Sequence, residues 1–159
     1  MRQDADVSAA HEALERVYRE EADRIWRALL GYTGSTDVAS EAVSESFARA
    51  LARGDDLSSP RAWVWTASFK IAKGLLVDRN ASSYQAEVLA GELPDPVVDL
   101  VRALATLPER QRVCIVMHDY GDRPVREVAS VLGISTPTVY AHLRQGRRHL
   151  RTVLEVDDA

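Results

Sequence analysis

Val125–Arg151 reads VREVASVLGISTPTVYAHLRQGRRHLR, and its spacing decides the fold. A helix-turn-helix needs a small residue where its helices cross, a glycine in the turn and an apolar residue returning on the second helix. Ala129, Gly133 and Val139 meet those needs at steps of four, four and six residues from Val125. Val128, Val131, Leu132, Ile134 and Leu143 supply a small core around them. Ser135 is placed to cap the second helix, whose first turn then presents backbone N–H groups suited to a phosphate oxygen. With Val139, Leu143, Leu150 and Leu154 facing inward, Thr136, Thr138, Tyr140 and Arg144 are expected nearest nucleic-acid bases. Arg147, Arg148 and Arg151 are expected on the phosphates, and Ser135 and His142 complete the DNA-binding set. The competing reading is a solvated C-terminal helix whose arginines complement its own dipole. It explains the charge but not the turn, the cap and the spacing.

Upstream, the same grammar repeats without DNA-like charge. Leu14, Val17, Ile25, Leu29 and Tyr32 recur at helical spacing and predict a long amphipathic helix ending near Gly31 and Gly34. A second helix is expected from Ser35–Asp37, with Ala39, Val43, Phe47 and Ala50 on one face and Gly54 as its stop. Ser59 and Pro60 open a third, along which Val64, Ala67, Ile71 and Leu75 form a stripe. Trp63 and Trp65 diverge by about 200° on such a helix, so at least one leans toward a neighbouring helix or a ligand surface. Between Asn80 and Pro96 the periodicity fades into Ser, Gly, Pro and acids. Four more helices follow, two opened by Pro108 and Pro124 and two closed by Gly121 and Gly133.

The sequence therefore predicts an all-α protein of two small helical domains. Residues 10–79 form the first, 80–96 a flexible acidic linker and 97–155 the second, a helix-turn-helix (winged-helix-like) DNA-binding domain.

Composition limits the alternatives. The chain is 46% hydrophobic and 28% charged, as a globular protein is. Net charge is -2 over residues 1–80, -3 over 81–95 and +1 beyond, so the cationic end stands on an acidic protein. No apolar run approaches the roughly 18 residues of a membrane span, and MRQDADVSAA has no apolar core. A cytoplasmic location is expected, with no membrane insertion. The single cysteine, Cys114, lies among Val113, Ile115 and Val116 and reads as a buried thiol. His11, His118, His142 and His149 are scattered, so no metal site is expected. There is no phosphate loop and no nucleophile elbow. No enzyme and no cofactor are expected.

LPERQRVCIVMHDYGDRPVREVASVLGISTPTVYAHLRQGRRHLR resembles the fourth region of bacterial extracytoplasmic-function (ECF) sigma factors. Leu107, Pro108, Arg112, Thr138, Val139, Gly146, Arg147 and Arg148 match that pattern in order. DVASEAVSESFARAL is similar to the second-region helix that grips the polymerase clamp, and PRAWVWTASFKIAKGLL to the helix that follows it.

The resemblance spans roughly residues 12–154. It implies a promoter-specificity subunit that binds core RNA polymerase at its clamp and flap and promoter DNA at the -10 and -35 elements, with an anti-sigma factor as a further partner. By position, it implies polymerase binding by Asp37, Glu41, Ser44, Glu45 and Arg49. It implies -10 melting and reading by Asp56, Ser58, Trp63, Trp65, Lys70 and Lys73.

Two stretches depart from the family pattern. Lys70, Gly74 and Val77 stand where asparagine, aspartate and arginines are common. Tyr140, Ala141 and His142 replace a more cationic stretch, which implies weaker non-specific affinity. Two other readings compete: a stand-alone helix-turn-helix regulator that binds operator DNA without polymerase, and an interaction protein that sequesters partners.

Overall fold

The computed structural model describes residues 1–79 and 91–157. Three helices make the first half: α1 (Arg2–Thr33), α2 (Thr36–Arg53) and α3 (Pro60–Asp78), with a 3-10 turn at Gly54–Asp56. The second half holds α4 (Asp95–Ala105), α5 (Glu109–Cys114), α6 (Val125–Leu132) and α7 (Thr136–Asp157). α5 runs directly into a π-helical turn at Ile115–Tyr120. Among the described residues there is no β-strand, so the helix-turn-helix carries no wing.

The punctuation works as the residue types dictate. Gly34 and Gly133 adopt the left-handed conformation that ends α1 and α6, at φ 66° in each. The Ser35 and Ser59 hydroxyls accept from Val38 N–H and Ala62 N–H, capping α2 and α3. α1 begins well before its apolar face, because its first turns are exposed on all sides. Of the expected linker, residues 80–90 lie outside the described residues, and α4 already begins at Asp95.

α1, α2 and α3 pack on one another, and α5, α6 and α7 close around Val128, Val139 and Leu143. The two halves also pack together. α1 meets α4, α5 and the π-helical turn, while α3 meets α6. One core runs through both, joining Leu29, Tyr32 and Phe69 to Leu104, Val116 and Met117.

This joint core changes the reading of α3. Its buried face is Val64, Trp65, Ser68, Phe69 and Ala72, not the stripe through Ala67, Ile71 and Leu75. The physical reason is a second cover: Gly121 and Arg123 of the other half close over Trp65, and Phe69 stacks between Trp65 and Tyr32. Leu154 is likewise exposed, because α7 outruns the core beneath it.

Two glycines permit the close approach. A Cβ on Gly121 would lie 2.8 Å from the Trp65 ring, and one on Gly31 would lie 3.2 Å from Leu104 and Val116 side-chain carbons. Polar ties flank this contact. Tyr32 O–H donates to Glu109 at 2.7 Å, and the Arg112 guanidinium donates to the Tyr32 carbonyl at 3.0 Å. Burial first, and then the Glu109 carboxylate, holds the Tyr32 hydroxyl well above the ordinary phenol range. Arg123 stands over the Trp65 ring at 5.8 Å and Arg24 over Tyr120 at 5.7 Å.

Candidate nucleic-acid interface

α7 builds its surface from its first residue. The Ser135 hydroxyl accepts from Thr138 N–H at 3.3 Å and lies 2.8 Å from the Thr138 hydroxyl, fixing the helix start. At about 100° per residue, Thr136, Tyr140, Arg144, Arg147, Arg148 and Arg151 fall within about 120° of arc. All six are exposed. The face adjoining this arc on the Thr136 side, at about 280–340°, carries Val139, Leu143 and Gly146 into the core. A Cβ on Gly146 would meet Ile115 at 3.1 Å, so this glycine is where α7 crosses the α5 segment.

Two expected DNA contacts lie off that arc. Thr138 and His142 are half-buried on its far flank, roughly 200° and 240° around from Thr136. His142 Nδ1 is buried without a hydrogen-bond partner among the described residues. The helical period sets these two positions off the arginine face.

Among the described residues, Arg144, Arg148 and Arg151 make no ion pair. Arg147 is different. Its Nε and Nη2 donate to Asp119 Oδ2 and Oδ1 at 2.8 and 2.5 Å, a two-pronged pair to the end of the π-helical turn. The hydrogen bond to that carboxylate raises the pKa of the guanidinium further. Residue spacing groups Arg147 with Arg148; the carboxylate that separates them is 28 residues away in the chain.

The first half presents a second basic surface. A groove of about 810 Å³ lies between α2 and α3, walled by Arg49, Arg53, Trp63, Lys70, Ile71 and Gly74. Arg53 sits 5.3 Å over the Trp63 ring. Of the residues expected at the -10 element, Trp63 and Lys70 meet in this groove. Asp56, Ser58 and Lys73 are exposed but do not line it. Trp65 is fully buried against the second half, with its Nε1–H donating to Glu21 at 3.3 Å, so in this packing it offers no surface to DNA. Sequence reasoning missed Arg53, which the α2 pattern left as an ordinary helix end.

Asp37, Glu41, Ser44, Glu45 and Arg49 are exposed along one face of α2. Glu41 pairs with Arg79 at the end of α3, and Glu45 accepts from Arg49 at 2.8 Å. Phe47 turns inward and meets Tyr18 edge-on at 5.0 Å. No helix among the described residues is long and apolar enough to cross a membrane, and none of them cluster as metal ligands.

The sequence model for sigma-70 region 4 matches residues 98–150. The ECF RNA polymerase sigma factor SigL of Mycobacterium tuberculosis is 29% identical over 94% of this chain and 93% of its own length. SigE of Mycolicibacterium smegmatis, also an ECF RNA polymerase sigma factor, is 25% identical over 92% of this chain and 63% of its own.

Two solved structures share the fold. CnrH, solved with the cytosolic domain of CnrY, superposes with a TM-score of 0.71 at 20% identity, over 96% of this chain and 99% of that one. The sigma factor RpoE of Bartonella quintana, solved with the anti-sigma factor NepR, gives 0.69 at 16% identity, over 90% and 97%.

Proposed function

We propose that this chain is an ECF sigma factor that directs promoter-specific initiation by core RNA polymerase, the α4–α7 half reading the -35 element and the α1–α3 half the -10 element. The observation that carries the first assignment is the six-residue exposed arc of α7, four arginines deep and presented by a capped helix-turn-helix. The groove holding Trp63, Arg53 and Lys70 supports the second, since unstacked bases need an aromatic face and their phosphates need cations.

The exposed face of α2 serves the polymerase. Its carboxylates suit a basic partner, and complementary charge speeds and orients docking. Two of the three carboxylates hold internal arginine partners, so docking exchanges those pairs for intermolecular ones.

Distance adds a requirement. Elements centred about 25 base pairs apart are on the order of 80 Å apart along B-form DNA. A compact chain of this length has a radius of gyration of only about 15 Å. The packed halves must therefore part for both elements to be read at once, which also releases Trp65. Once apart, they act as tethered modules whose weak contacts reinforce each other. An anti-sigma partner that favours the packed form fits the same scheme.

Size-exclusion chromatography with purified core polymerase tests this reading. Co-elution in equimolar complex supports it. A chain that leaves core polymerase free yet shifts operator DNA alone is a stand-alone regulator.

A further inference from the structure

We propose that Asp119 sets the DNA affinity of α7 by holding Arg147 in reserve, so that a phosphate must displace this carboxylate before Arg147 contributes. The proposal rests on the reading of α7 as the DNA-facing helix.

Four arginines share the exposed arc, and one of them meets a carboxylate through two parallel N–H···O bonds. The guanidinium fork fits a carboxylate and a phosphate by the same planar geometry, so the two compete for one site. Neither partner is sealed off: the Arg147 side chain is 46% exposed and that of Asp119 32%. A phosphate can therefore reach Arg147 from solvent.

Asp119 itself is held in place. It sits in the π-helical turn, where Gly121 N–H donates to the Val116 carbonyl and Arg123 N–H to the Met117 carbonyl, both at 3.0 Å. π-helical turns are uncommon and favour functional positions. Here the turn delivers one acid to an otherwise cationic face, lowering its effective charge by one. An exposed pair of this kind is worth at most about 1 kcal/mol, or about fivefold in affinity. On random-sequence DNA the pair then keeps Arg147 from phosphate and lowers affinity by up to about fivefold, a margin the added contacts of a specific site can overcome.

The test is the salt dependence of binding to a random-sequence duplex, using the full chain and its Asp119→Asn, Asp119→Ala and Arg147→Ala variants. Each additional phosphate contact steepens the slope of log K against log salt by about 0.9. Asp119→Asn and Asp119→Ala are expected to bind about two- to fivefold more tightly, with the slope steeper by about 0.9. Arg147→Ala is expected to leave the wild-type slope nearly unchanged but to abolish the gain in the Asp119→Ala background.

Weaker binding by the Asp119 variants would make the carboxylate a support for Arg147 on phosphate and overturn the proposal. So would an Arg147→Ala slope loss equal in both backgrounds. Circular dichroism confirms that each variant folds. If Arg148→Ala is also without effect while every variant stays folded, the assignment of α7 to DNA fails, and the reserve role falls with it.

Discussion

The Trp65 ring closes directly over Gly121, with 2.8 Å between its Cζ3 and Cη2 atoms and the place a Cβ would occupy. This contact joins the two halves of the molecule and leaves no room for even one methyl group. Gly121→Val should therefore wedge the halves apart. Overpacking of this kind costs about 1–3 kcal/mol. Expected readouts are a red shift in tryptophan emission and a larger hydrodynamic radius at an unchanged helix content. Unchanged emission and radius would mean that the contact does not hold the halves together.

Arg144 and Arg148 lie on the same exposed arc, but Arg144 is nearer the capped start of α7. Arg144→Ala should cost about 1–3 kcal/mol at one base position and relax discrimination there. Arg148→Ala should weaken all duplexes alike and reduce the salt slope by about 1. A matrix of promoter variants measured against both proteins checks the division. Indistinguishable profiles would dissolve it.

Gly146 lies at the crossing with Ile115, where a Cβ would meet the isoleucine at 3.1 Å. Gly146→Val should lower the unfolding free energy by about 1–3 kcal/mol through overpacking, despite glycine's poor helix propensity. Denaturant titration measures it. A stabilised variant would show that the crossing yields easily.

Burial pushes the Cys114 thiol up to about 11, from an ordinary value of 9.0. Its pKa is thus higher in the folded chain than in the unfolded one, and the stability it contributes is complete below pH 9. That contribution is lost as pH rises from about 9 through 11, because the unfolded thiol ionises first. Folded chain at pH 8 should resist Ellman's reagent and react fully in denaturant. Cys114→Ala should flatten the fall in thermal midpoint between pH 9 and 11. An equally steep fall in that variant would assign the loss to other groups, the buried Tyr32 hydroxyl foremost.

Much of this fold was legible because local rules set it. Ser35, Ser59 and Ser135 cap where their hydroxyls permit, Gly34 and Gly133 end helices in the left-handed region, and Val128, Val139 and Leu143 fill the helix-turn-helix core. What escaped depends on partners distant in sequence. Trp65 is buried by a segment more than fifty residues away, and Arg147 is engaged by a carboxylate in another helix. Helical periodicity alone cannot encode either contact, since it ranks the faces of one helix without naming what covers them. At Thr138 and His142 the period alone gives the geometry, setting both off the arginine arc.

The most direct test of the central claim is transcription from genomic DNA of the source organism by core polymerase, with and without the chain, read as mapped RNA 5′ ends. A defined set of new start sites should appear only when the chain is present. They should share two upstream elements and lose strength with Arg148→Ala. An identical set of 5′ ends with and without the chain, under conditions where an established sigma factor redirects the same polymerase, would contradict it.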